Sequence, residues 1–184
     1  MRPTEQLKEE HEAIKLMLSI LDKILNKLQT AQTLNTEHFS KVLEFLRGFA
    51  DKCHHGKEED LFFPALEEAG IPKEGGPIGV MLKEHTFGRG FIKGMAEAFD
   101  EFQKGDKKAA ATIIENGRNY ILLLTQHIYK ENNVLFPMAD NFLSEDQQEK
   151  LEKAFEKLEA ERIGPGKHEE FHKLLHQLKE VYLK

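Results

Sequence analysis

The sequence predicts an all-α protein: an up-down-up-down four-helix bundle over residues 1–142 with two additional helices over residues 143–184. Three observations lead there. Apolar residues recur at helical spacing along most of the chain, no alternating strand pattern occurs, and turn signals rich in glycine and proline divide the chain into helical segments. With 184 residues and 40% hydrophobic composition the chain can bury one sizeable core, so the C-terminal region is expected to pack back on the bundle.

The first helix runs from Thr4, a candidate N-cap, to about Thr30, with Leu7, Ile14, Met17, Leu18, Leu21, Ile24, Leu25 and Leu28 on one stripe. His11 falls on that stripe and should face inward. After a loop over residues 32–36, the second helix carries Phe39, Val42, Leu43, Leu46, Phe49, His54, Glu58, Leu61 and Phe62 on its apolar side, and Pro64 should kink or end it. Residues 70–79 form a Gly- and Pro-rich connection in which Pro77 suits the first position of the third helix.

That third helix carries Val80, Met81, His85, Phe91, Ile92, Met95, Phe99 and Phe102. Its interior glycines, Gly88, Gly90 and Gly94, each cost up to about 1 kcal/mol of helix propensity relative to alanine. Close helix packing, or room beside a bound group, should offset the cost, packing being the simpler reading. Gly105-Asp106 turns the chain into the fourth helix, with Ala109, Ile113, Tyr120, Leu123, Leu124, His127, Glu131 and Leu135 leading to Pro137. Ser144 to Gln147 has the form of a capping box and opens a fifth helix that ends near Gly164, and a sixth spans Lys167 to Lys184.

Two stretches repeat. His54-His-Gly-Lys-Glu58 and His127-Ile-Tyr-Lys-Glu131 both lead to a Phe-Pro pair, and Leu7-Lys-Glu-Glu-His11 has a counterpart in Met81-Leu-Lys-Glu-His85. On a helix, residues i and i+4 share a face, so each His-x3-Glu can present an imidazole and a carboxylate to one centre. Measured from the first turn at 1.5 Å per residue, His11 and His54 lie roughly 27 and 26 Å away, and His85 and His127 roughly 29 and 30 Å from the third turn. All six residues therefore fall at one height. His11, His54, Glu58, His85, His127 and Glu131 are more ligands than one tetrahedral zinc uses, and two metals sharing two bridging carboxylates account for all of them. Imidazole and carboxylate suit iron, manganese or zinc. Alignment on the Phe-Pro pair selects His54 with Glu58 over His55 with Glu59, and about 100° of helical rotation places His55 at the periphery or in a supporting role.

This pattern resembles the hemerythrin-like, or HHE cation-binding, family over residues 4–142. The resemblance implies a four-helix bundle with two iron ions in a non-haem centre, His11 and His54 on one iron, His85 and His127 on the other, Glu58 and Glu131 bridging. It further implies a protein that binds, senses or reacts with dioxygen, nitric oxide or peroxide rather than a dedicated enzyme. Oxygen-carrying members have a further histidine one turn after the third-helix ligand, where this chain has Arg89. That difference points to fewer ligands and open positions, with Arg89 either paired to a surface carboxylate or orienting an anionic ligand or a carboxylate beside the site.

Other readings are weaker. His168-Glu-Glu-Phe-His172 matches the zinc-protease pattern but lies near the C-terminus with no strand to align a peptide. With His176 it forms a helical face suited to solvent or incidental metal. A di-iron oxidase or peroxidase, or a helical interaction module with incidental metal, remain as alternatives. Phe155, Leu158, Phe171, Leu175 and Tyr182 could serve a protein partner or a homodimer, although packing on the bundle is the simpler expectation. Net charge of −6 with mixed signs excludes a nucleic-acid footprint, and the absence of long apolar runs excludes a membrane span. The lone Cys53 cannot form an intramolecular disulfide, and no signal-peptide core follows Met1, so a cytoplasmic location is expected.

Overall fold

The computed structural model describes residues 1–184 as six helices without strands. α1 is Pro3–Ala31. α2, residues 36–68, joins Thr36–Phe45, a π-helical stretch Leu46–His55, a π turn Glu58–Phe62 and Phe63–Glu68. α3 is Pro77–Gln103. α4, residues 109–142, joins Ala109–Lys130, a π turn Glu131–Leu135 and Phe136–Phe142. α5 is Glu145–Arg162 and α6 is Lys167–Tyr182. No helix is long and apolar enough to cross a membrane.

Local chemistry explains most boundaries. Pro77 occupies the first turn of α3, where its missing N–H costs nothing, and Ser144 and Gln147 form the reciprocal capping box of α5. Asn35 caps α2 by accepting from the His38 amide. Thr4 does not cap α1. The helix begins one residue earlier, at Pro3, and the Thr4 hydroxyl donates instead to Asp140 near the end of α4, 2.8 Å away. Pro64 likewise does not end α2, which passes through it by widening into a π turn.

The core is divided. A cluster of 28 buried residues fills one end of the bundle, from Ala13 and Ile14 on α1 through Ala50, Ile92 and Leu124 to Phe171 and Leu175 on α6. A second cluster of 13, including Leu7, Phe62, Phe63, Met81, Leu135, Phe136, Leu151 and Phe155, closes the other end. Between these apolar layers lies a slab of buried histidines and glutamates. His11 sits between Leu7 and Ile14 on α1, and His54 and Glu58 sit between Ala50 and Phe62 on α2. The slab is therefore sealed above and below by apolar side chains.

Close packing accounts for only part of the glycine cost. A Cβ at Gly94 would stand 2.4 Å from the Asn116 side chain, whereas Gly88 leaves ordinary contact with Tyr120 and Gly90 faces open space, which nothing in the structure explains. Gly48 on α2 is a stronger case: a Cβ there would stand 2.6 Å from the Phe171 ring. Phe171 uses that gap to lay α6 against the bundle, meeting Phe45 edge-on at 5.7 Å between ring centres. Phe155, Leu158, Phe171 and Leu175 are all buried within the chain, and Tyr182 is partly buried beside the His38 ring nitrogen, 2.8 Å from its hydroxyl. The side chains that could have served a partner are occupied internally. Phe171→Ala should destabilise the protein by about 3 kcal/mol through lost burial and a residual cavity, read as a lowered urea midpoint with an unchanged slope.

Candidate metal centre

The two Phe-Pro pairs set the site's local geometry. Pro64 and Pro137 cannot donate to the carbonyl four residues back, and their rings crowd it, so the preceding turn opens to i→i+5 bonding. The Phe63 amide donates to the Glu58 carbonyl and the Phe136 amide to the Glu131 carbonyl. Each glutamate thus opens a widened turn. Phe63 and Phe136, one residue before each proline, lay their rings against His85 and His11 at 5.9 and 5.4 Å.

All six residues singled out in the sequence meet. Glu58 spans the centre, with Oε1 3.4 Å from His54 Nε2 and Oε2 3.3 Å from His85 Nε2. Glu131 Oε2 lies 3.1 Å from His11 Nε2 and 3.3 Å from His127 Nε2. The Nε2 atoms of His85 and His127 converge to 3.0 Å. Both glutamates are fully shielded from solvent. His55 is placed differently from expectation: it is buried, stacked on His85 at 3.9 Å, and grouped with Glu58, His85 and His127.

The opposite ring nitrogens are held from outside. Asn132 Oδ1 is 2.7 Å from His11 Nδ1, Glu10 Oε2 is 2.7 Å from His54 Nδ1, Glu59 Oε1 is 2.8 Å from His85 Nδ1, and Glu84 Oε2 is 2.8 Å from His127 Nδ1. Each of these oxygens accepts a hydrogen bond from Nδ1, an arrangement that suits the tautomer in which Nε2 is free to face a metal ion. Lys57 and Lys130 donate to Glu10 and Glu84 respectively. Arg89 donates to Glu59 at 2.7 Å and to Asp51 at 2.8 Å, so it orients carboxylates beside the site rather than pairing at a distant surface.

The sequence reading gave no role to four of these supporting residues, Glu10, Glu59, Glu84 and Asn132, yet the repeat contains their signal. Glu10 and Glu84 each precede an early histidine, while Glu59 and Asn132 each follow the glutamate of a His-x3-Glu stretch. Glu10 and Glu84 stand inside the aligned stretches, and Glu59 and Asn132 stand one residue beyond them. His168, His172 and His176 do not join the centre. His168 and His172 pack their rings near Phe49, and the two carboxylates grouped within 4.8 Å of His168, those of Glu10 and Glu159, are already bridged by the Lys57 ammonium.

The inward-facing atoms fit metal ions. His11 Nε2, His54 Nε2, His55 Nε2 and both carboxylate oxygens of Glu58 and Glu131 are buried without hydrogen-bond partners. A buried carboxylate with no donor is costly, and such a concentration of unpaired acceptors calls for a shared cation. A family model, the hemerythrin HHE cation binding domain, matches residues 2–139. The chain belongs to this hemerythrin family. It is also 26% identical over 160 residues to uncharacterized proteins of Mycobacterium bovis and Mycobacterium tuberculosis. The match covers 87% of this chain and 62% of theirs, so the chain spans less than two thirds of those relatives.

Electrostatics in this hemerythrin-family site follow from burial opposed by neighbours. Burial alone would lower the His127 pKa, but Glu131 and Glu84 outweigh it and raise the value to about 10. Burial lowers His55 well below its ordinary value, and the neighbouring imidazoles act in the same direction, so that ring stays neutral. Cys53 is pushed up to about 12 by burial and remains a thiol.

Glu10 moves the other way. Burial would raise its pKa, but His54 and Lys57 hold it at about 2, against 4.5 when exposed. A depressed carboxylate stabilises the fold above its unfolded pKa and loses that contribution as pH falls through the folded value. Metal-free protein should therefore lose about 3 kcal/mol from this group between pH 4.5 and about pH 2. Denaturant titrations at stepped pH in a chelator should show that loss, and Glu10→Gln should flatten it.

Proposed function

We propose that this hemerythrin-family chain binds two metal ions, iron by preference, and binds, senses or reacts with dioxygen or a related small molecule such as nitric oxide or peroxide. The observation that supports it most is the set of unpartnered buried atoms on Glu58, Glu131, His11 and His54, converging with His85 and His127 in a layer sealed from water. His11 and His54 would hold one ion, His85 and His127 the other, and Glu58 and Glu131 would span both. Residues 1–142 would form the metal-binding unit, with residues 143–184 as its packed extension.

Bound iron would supply redox capacity and coordination positions open to small ligands. The chain's own work is positional. Glu58 reaches His54 with one oxygen and His85 with the other, and Glu131 reaches His11 and His127, so Glu58 ties α2 to α3 and Glu131 ties α4 to α1. Asn132, Glu10, Glu59 and Glu84 keep the imidazoles in the metal-binding tautomer, and Phe63 and Phe136 exclude water from one side. A layer whose histidines and glutamates are all buried favours diatomic or similarly small ligands over organic substrates.

Metal content of protein purified without added metal tests this directly. Two irons per chain are expected, with ultraviolet and visible charge-transfer bands that change when air reaches the anaerobically reduced protein. His54→Ala should lose at least one of the two irons while keeping its helical circular dichroism. Protein without stoichiometric metal, or with uptake unaltered in His54→Ala, would sink the reading.

A further inference from the structure

We propose that His55 is a seventh protein ligand of the centre, giving the metal at His85 and His127 a third imidazole that the metal at His11 and His54 lacks. The inference rests on the dinuclear reading above and goes beyond its six residues. The His55 ring is 3% exposed and its Nε2 has no hydrogen-bond partner. Ligand atoms of His55, Glu58, His85 and His127 all lie within 4.8 Å of one another. The ring stacks on His85 at 3.9 Å with only 18° between planes, and it stands edge-on to His127 at 5.9 Å.

A core histidine without a ligand role would be expected to satisfy both nitrogens. His55 satisfies at most one, since Nδ1 faces Asp51 Oδ1 at 3.4 Å while Nε2 is buried without a partner. Burying that lone pair unused costs free energy, and a metal ion is the partner that the neighbouring imidazoles and carboxylate would share.

The helix explains how two adjacent histidines reach the same centre. In an α-helix His55 would be rotated about 100° from His54 and aim aside. Residues Leu46–His55 are π-helical, however, and the wider turn brings neighbouring side chains closer in angle. His54 then joins His11, His55 joins His85 and His127, and Glu58 belongs to both groups.

The chain departs from its own repeat at positions around His55. Aligned on the His-x3-Glu stretches, His55 corresponds to Ile128 and Asp51 to Leu124, both apolar and buried. Aligned on the early histidines, Arg89 corresponds to Lys15, which pairs with Glu12 on the surface. The three departures form one connected set: Arg89 holds Asp51, Asp51 faces His55, and Arg89 also holds the Glu59 carboxylate that orients His85. The unequal supply of imidazoles is thus built into the surrounding residues as well as the ligand itself.

The test is zinc titration of metal-free full-length protein, following the ring nitrogens of its nine histidines by long-range proton–nitrogen NMR. Five should move to metal-bound positions on saturation: His11, His54, His55, His85 and His127. His55→Gln should remove the His55 signal and weaken one of the two zinc equivalents about tenfold or more, leaving the other near wild type. A His55 resonance unmoved at saturation, or two equivalents unchanged in His55→Gln, overturns the proposal. Because the wild-type spectrum reads His55 directly, the outcome does not depend on the variant folding. A wild-type protein that takes up no stoichiometric zinc or iron overturns the metal centre itself and, with it, the role of His55.

Discussion

Two carboxylates, Glu58 and Glu131, lie at the middle of the bundle with no solvent exposure and no ordinary hydrogen-bond donor. Burying an ionised carboxylate costs several kcal/mol even after relaxation, so the surroundings must supply positive charge or metal. Much of the rest of the structure answers that requirement. Imidazoles converge on the two groups, apolar layers close both ends of the slab, and the prolines at Pro64 and Pro137 open the turns on which the carboxylates stand.

The internal repeat distributes the work across the two halves of the chain. Within each half, the glutamate before the early histidine steadies the late one: Glu10 with His54, Glu84 with His127. Across the halves, the residue after each central glutamate steadies the early histidine of the other pair: Asn132 with His11, Glu59 with His85. Neither half could orient its own imidazoles alone. The interlock explains why four helices converge on one level without any loop contributing to the site.

The fold and six inward residues were legible because helical rise is constant: counting residues from a shared turn is a measurement of height. Azimuth was less legible. The count assumed one helical period throughout, and residues 46–62 depart from it, so His55 was placed at the edge while the structure brings it against His85. Thr4 misled for another reason, since Pro3 could start the helix and Asp140, distant in sequence, claimed the hydroxyl. Glu10, Glu59, Glu84 and Asn132 escaped notice because surface-type residues on charged helices seldom announce a buried partner. Their pairing is a tertiary fact visible in sequence only as a symmetry between the two copies.

Lys57 carries that symmetry outside the repeated unit. Its counterpart Lys130 remains 39% exposed, whereas Lys57 is wholly enclosed, with Glu10 on one side and Glu159 and the Phe155 ring of α5 on the other. The charge relay from Glu159 through Lys57 and Glu10 to His54 starts some twenty residues beyond the family match, which stops at residue 139. The boundary that homology draws and the boundary that electrostatics draws are therefore different. A chain trimmed to the recognisable bundle would keep every inward histidine and glutamate yet return Lys57 to water, altering the basicity of the imidazole it steadies at one remove.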